Sequence, residues 1–227
     1  TATSDKMRLL DTASIVVKGK PEISAFNRNP YAYLNKVNPV NMLLSIVPST
    51  EPMYADTKSD TGTFIIDEFG STVNATCRYV ASGISTKNGN KTLNIWVANN
   101  CLSFISEADA QALANKFLSA NAYNDIYDWV TGIYGAEYGN SDLSGSGWSN
   151  VSDRAKDVLI SPDDEITILL YDIDGDTTNG SVLGYFWAKD NFKKSSISYS
   201  NERIMFYMDA YIYDNRVPRI ANGTNEI

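Results

Sequence analysis

The sequence predicts an α+β fold: a sheet with one or two backing helices, preceded by a β-rich region. Three observations carry that expectation. The runs TGTFIIDEF, TVNATCRYVAS and TLNIWVAN, between Thr61 and Asn99, are rich in β-branched and aromatic residues and separated by turn residues. The stretch SEADAQALANKFLSA, from Ser106, then changes to helical spacing. Finally EITILLYDI, VLGYFWA and ERIMFYMDAYIY return to β patterning.

Residues 1–60 read as a β-rich N-terminal region of unassigned role, because Pro21, Pro30, Pro39, Pro48 and Pro52 interrupt apolar runs such as Ala13 to Val17 and Met42 to Val47. Residues 61–227 form the second unit. Within it, residues 75–82 and 91–98 predict a hairpin about Asn88-Gly89. That register sets Cys77 opposite a position near Val97, so a bond from Cys77 to Cys101 is disfavoured, although a pair of cysteines suits an exported chain with one disulfide. Ser106 and Asp109 form an acidic capping box, and Ala110, Leu113, Ala114, Phe117 and Leu118 recur on one helix face. Ile126, Trp129, Val130 and Ile133 mark a second helix that stops at Gly135 and Gly139. Residues 140–153 have the composition of a surface loop.

Composition narrows the function. At net charge -8 the chain repels phosphate backbones, so nucleic acid is not an expected partner. No apolar run approaches the ~20 residues of a membrane span. The 227 residues contain no histidine, which removes Ser-His-Asp and Cys-His catalysis and every zinc site built on imidazole. Dinucleotide, P-loop and nucleophile-elbow motifs are missing too. Nothing in the spacing of the acids selects a glycosidase pair. The aromatics Tyr185, Phe186, Trp187, Phe206 and Tyr207 fit strand packing better than a carbohydrate groove. Five N-x-S/T sequons, at Asn74, Asn90, Asn150, Asn179 and Asn222, mark surface loops wherever the chain is glycosylated.

One cluster invites chemistry. Asp172, Asp174 and Asp176 alternate at the end of ITILLYDIDGD, a spacing that suits calcium, a catalytic role, or simply a strand running into a turn. The match to an EF-hand loop is partial: the glycine follows the second acid, and Leu183 stands where a bidentate Glu belongs. Acidic turns outnumber acidic sites, which favours the structural reading. A carbohydrate-binding domain with calcium at Asp172 to Asp176 is a third functional class beside those given below.

From Thr61 onward, the order TGTFIID, CRYVASG, LNIWVANN, ISEADAQALANKF, IYDWVTGIYGAEYG, EITILLYDIDGD, LGYFWAKDNF and SNERIMFYMDA resembles the hyicolysin-type bacterial zinc metallopeptidases. The pieces ITILLYDI, GYFWAKDNF and SNERIMFYMDA are the most specific. The resemblance implies a zincin-like N-terminal subdomain, with a twisted mixed sheet, over residues 61–227. In that family the segment like SNERIMFYMDA leads to a helix bearing H-E-x-x-H, whose histidines hold zinc while its glutamate activates water. The resemblance places that helix beyond Ile227, so zinc belongs to the complete enzyme and is not bound by this chain alone.

It further implies a secreted or cell-surface protein, extracellular or periplasmic. Its partners would be a protein or peptide substrate and the C-terminal remainder of the same polypeptide. The start at Thr1, without Met, suits a trimmed precursor or a chain cut from a longer one. Zincin-like domains receive substrate along an edge strand, and by analogy Arg203, Ile204, Met205, Phe206, Tyr207, Met208 and Asp209 are the candidate edge. The alternative is a non-catalytic surface binding or adhesion module derived from a metallopeptidase.

Overall fold

The computed structural model describes residues 20–34, 56–119, 125–134, 153–160, 164–175, 177 and 182–213. Six strands form one mixed sheet: β1 (Thr61–Ile65), β2 (Thr72–Thr86), β3 (Gly89–Ala98), β4 (Glu165–Tyr171), β5 (Gly184–Phe186) and β6 (Met205–Asp209), in the order β1-β2-β3-β4-β6-β5. The first three form an antiparallel meander, β3, β4 and β6 run parallel, and β5 lies antiparallel beside β6. This is the α+β architecture that the sequence predicts.

The β2–β3 hairpin closes through Lys87 and Asn88, with Thr86 opposite Gly89. Two bulges, between Cys77 and Tyr79 and between Ala81 and Ile84, then move the register, and Cys77 faces Trp96, next to Val97 and away from Cys101. Gly83 takes the left-handed φ of 65° inside the second bulge, a conformation that costs a side-chain-bearing residue energy. Cys77 and Cys101 are both buried free thiols.

A parallel step from β3 to β4 needs a crossover, which runs through the helices expected from the sequence. These are α3 (Glu107–Phe117) and α4 (Ile126–Tyr134), numbered after the short helices α1 (Pro21–Arg28) and α2 (Tyr31–Leu34). The capping box is formed: Ser106 Oγ accepts the Asp109 N–H at 3.2 Å while the Asp109 carboxylate accepts the Ser106 N–H at 2.8 Å. Ala110, Leu113 and Ala114 are buried. On α4, Tyr127 and Asp128 are buried while Ile126, Trp129, Val130 and Ile133 are exposed, so its apolar face is not the buried one. The central strands are buried on both faces, with Leu93, Ile95, Ile168, Leu169 and Leu170 fully inaccessible, as parallel strands with covered faces require.

The expected β-rich character of residues 1–60 is corrected where the structure describes them. Pro21–Arg28 and Tyr31–Leu34 are helical. Pro21 occupies the first position of α1 and Pro30 directly precedes α2, so these prolines begin helices, where a missing N–H costs nothing, instead of interrupting strands. Ile23 and Phe26 are buried on α1 and join the same apolar core as the sheet residues. The Phe26 ring lies edge-on 6.4 Å from Trp187 and 6.3 Å from Phe192. Burial of these two side chains contributes roughly 1.5–3 kcal/mol each. The rest of that region, the 140–152 part of the expected loop, and Asp176 lie outside the described residues; α5 (Asp153–Lys156) begins at the loop's last position. No helix among the described residues is long and apolar enough to cross a membrane.

The approach of β5 to β6 depends on Gly184. A Cβ there would meet the Tyr207 carbonyl oxygen at 2.7 Å. Gly184→Ala is expected to push β5 off its neighbour and to cost about 1–3 kcal/mol, read from urea denaturation. An unchanged midpoint would show that the strands do not pack this closely.

Candidate functional site

The site is built on the β5–β6 side of the sheet, and its foundation is a buried ionic network. Lys189 and Asp190 follow β5 in a 3-10 turn, Ala188–Asn191, and both side chains are fully inaccessible. Lys189 Nζ donates to Asp190 Oδ1 at 2.5 Å, to the Tyr207 hydroxyl at 3.1 Å and to the Ile65 carbonyl at 3.2 Å. The Tyr207 hydroxyl donates to Asp190 Oδ2 at 2.7 Å, and the Asn201 N–H donates to Asp190 Oδ1 at 2.7 Å. Burial pushes the Asp190 carboxyl up and the Lys189 ammonium down, and their contact opposes both shifts. The pair satisfies itself and every partner is structural.

Asn201 extends this network to the far edge strand. Its Oδ1 accepts the Ile65 N–H at 2.7 Å and its Nδ2 donates to the Ile65 carbonyl at 2.9 Å. A carboxamide thus closes the end of β1 as a neighbouring strand would. The edge at β5 is closed in the same way from outside: Asn27 of α1 donates through Nδ2 to the Phe186 carbonyl at 2.7 Å and accepts the Ala188 N–H through Oδ1 at 2.8 Å.

The predicted edge, Arg203–Asp209, is corrected by the sheet order. Strand β6 pairs with β4 on one side and with β5 on the other, Gly184 opposite Met208, Tyr185 opposite Tyr207 and Phe186 opposite Phe206. Its main chain is covered because β5, which lies within the β-patterned run VLGYFWA, pairs along its outer side. The side chains are occupied as well. Arg203 forms a two-pronged ion pair with Asp56, at 2.5 and 3.1 Å, and lies over the rings of Phe64 and Trp96. Ile204, Met205, Tyr207 and Asp209 are buried, while Phe206 and Met208 are half-buried. The Phe206 ring is 5.7 Å from Phe117 and 5.8 Å from Phe186. What remains as an edge is β5, where Leu183 and Gly184 are exposed.

Asp172 and Asp174 end β4 and enter a 3-10 turn, Ile173–Gly175, with Asp174 and Gly175 both left-handed, at φ 74° and 65°. Asp174 accepts Lys20 Nζ at 2.6 Å, and Asp172 accepts the Thr177 N–H at 3.3 Å. A cavity of about 270 Å³ opens beside them, bounded also by Tyr171, Asn100 and Asp67. Tyr171, in its wall, shares a hydrogen bond of 2.7 Å with the Tyr185 hydroxyl, and Tyr185 is stacked 4.6 Å from Tyr207. Burial raises the pKa of both phenols. The described part of the cluster is an acidic turn facing a lysine, and calcium has no support among the described residues.

The comparison with protein families decides the parentage. The sequence model of Peptidase M30 matches residues 74–214. The chain belongs to this family, the hyicolysin family. The M30 assignment makes the chain part of a peptidase lineage, with peptides as its substrate class. No protein with a curated description matches it.

M30 peptidases are zinc-dependent in general, yet the residues present here do not fit zinc. The sequence holds no imidazole, and no three His, Cys, Asp or Glu side chains among the described residues converge on a point. Both thiols are buried, and burial pushes Cys77 and Cys101 each up to about 12, helped by Asp56 near the first and Asp172 near the second, which disfavours the reactive thiolate.

Sequence reasoning missed Asn27, Gly184, Lys189, Asp190 and Asn201. A Lys-Asp pair between Trp187 and Phe192 was the available signal, since adjacent opposite charges inside an aromatic run are seldom surface residues.

Replacing one member of the buried pair tests the foundation. Lys189→Met leaves Asp190 charged and enclosed, with an expected loss of about 3–5 kcal/mol in urea denaturation; a loss below about 1 kcal/mol would show a hydrated pair. The thiols give an independent check. Unreduced protein at pH 8 should take up no iodoacetamide when folded and one per cysteine in urea, counted by mass; failure to label in urea would reveal a disulfide.

Proposed function

We propose that the chain supplies the substrate-docking half of a secreted or cell-surface zinc endopeptidase, with an extended peptide adding as a further strand to the outer edge of β5. The carrying observation is that β5 ends the sheet, with one strand neighbour among the described residues and exposed main chain at Gly184. The Phe186 carbonyl faces away from β6, toward Asn27, and in an extended strand the N–H of the same residue faces the same way. Gly184, two residues earlier, shares that outward side. Main-chain groups there recognise any sequence, which suits an endopeptidase, while exposed Leu183 offers an apolar neighbour. Family membership supports the peptide as ligand.

On this reading residues 61–227 form the zincin-like N-terminal subdomain, and the zinc ligands and general base come from residues outside these 227. The histidine-free composition supports that division of labour. The acidic balance and the sparse cysteines fit an exported chain.

The complete natural gene product is expected to hold one zinc per chain and to hydrolyse casein until chelated, whereas the 227-residue chain hydrolyses none. Chelator-sensitive hydrolysis by the 227-residue chain would refute the division. In the complete product, Phe186→Pro removes an outward N–H and leaves the ladder to β6 intact. It should lower kcat/KM by roughly five- to tenfold at unchanged melting temperature; unchanged kcat/KM would refute docking at β5.

A further inference from the structure

We infer that helix α1 is a competitor for the docking edge: the Asn27 carboxamide sits where the main chain of an added peptide would pair with β5. This rests on the docking reading above and adds its regulation.

The geometry has the pattern of a strand contact. A residue of a parallel neighbour donates to the carbonyl before the residue it faces and accepts the N–H after it. Asn27 does both, at 2.7 Å to the Phe186 carbonyl and 2.8 Å from the Ala188 N–H, on either side of Trp187. A peptide extending along β5 past Phe186 needs the same two groups. Lys20, at the other end of α1, reaches the same flank: its Nζ binds Asp174 at 2.6 Å and lies 5.8 Å from the centre of the Tyr185 ring. The helix therefore contacts the β5 side near both Tyr185 and Phe186.

The contrast with β1 separates this arrangement from ordinary edge protection. There the capping carboxamide, Asn201, belongs to the buried network and also donates to the Tyr207 hydroxyl at 2.9 Å. It cannot leave without dismantling the core. Asn27 is 159 residues from Phe186 along the chain and makes two hydrogen bonds to the edge. Ile23 and Phe26 hold the helix in place, so the capped edge is the ground state of the intact chain. Displacement of α1, by a peptide or by cleavage of the chain that follows it, frees the longer edge.

The test uses the 227-residue chain and a fluorescein-labelled peptide of four Lys-Val-Thr repeats, read by fluorescence anisotropy. Hydrogen exchange over residues 183–188 is the second readout. Asn27→Leu can neither donate nor accept at the edge and should tighten peptide binding roughly threefold to tenfold. Exchange at Ala188 should rise without peptide and fall with it. Adding Phe186→Pro to Asn27→Leu should abolish the gain. If Asn27→Leu lowers the melting temperature too far for binding, Asn27→Asp, which retains the acceptor for Ala188 and loses the donor for Phe186, should show a smaller gain of the same sign.

Binding that is unchanged or weaker in these Asn27 variants, while Phe186→Pro still weakens it, would overturn the competition and leave β5 docking intact. Insensitivity to Phe186→Pro in both backgrounds would overturn the docking reading, and this inference with it.

Discussion

The buried contact between Lys189 and Asp190 is the constraint on which the rest of the structure depends. Two charges are removed from water, a step that costs several kcal/mol per ion unless each finds full hydrogen bonding. The partners that supply it come from distant parts of the chain: the Ile65 carbonyl at the end of β1, the Asn201 N–H from the loop before β6, and the Tyr207 hydroxyl on β6. Satisfying one ion pair therefore fixes where the first strand ends, where the last begins, and how the turn after β5 is oriented. The sheet must bring its remote ends to one place, which a flat array could not do.

That constraint explains why the short strand β5 is held at all. Three residues make a marginal edge strand, and the pairings Gly184 to Met208 through Phe186 to Phe206 would be weak alone. Their support comes from both sides. Tyr185 stacks on Tyr207, whose hydroxyl is locked in the network, and Lys189 follows within three residues of Phe186. The outer edge receives α1, whose Phe26 packs beside Trp187. Both ends of the sheet are closed by asparagine carboxamides rather than by another strand, a compact answer to the hazard of unpaired main chain. One closure belongs to the core and the other to a docked helix.

Much of the framework was legible because local chemistry specified it. The capping box at Ser106 and Asp109 needs only residues three apart, and the helix it starts is present. The β-rich runs correspond to strands because they are buried by their own composition. What failed was positional information that local sequence does not carry. Pro21 and Pro30 look the same in a list of breakers whether they end strands or begin helices, and only the burial of Ile23 and Phe26 decides between them. RIMFYMD and VLGYFWA both read as β-patterned, but nothing in either run says which neighbours it has, so which of the two lies at the edge is not legible locally. Contacts such as Asn27 to Phe186 are invisible for the same reason. Even so, the two pieces most specific in the family resemblance, GYFWAKDNF and SNERIMFYMDA, contain Lys189, Asp190, Asn201 and Tyr207, so the resemblance rested partly on the network.

On the proposed reading, recognition is separated from chemistry. Main-chain pairing at a sheet edge requires a rigid strand and little else, and the ionic network below β5 provides the rigidity. Hydrolysis at a zinc centre held by imidazoles requires histidines, which this sequence does not contain. On the proposed reading, a peptide can therefore be held by this half before any catalytic group is engaged. The strength of that hold depends on how much of β5 the helix α1 leaves open. A longer accessible edge adds hydrogen bonds that every peptide can make, so it raises affinity without altering sequence preference. Preference would have to come from side-chain neighbours, and Leu183, exposed beside Gly184, is the one that the described edge presents.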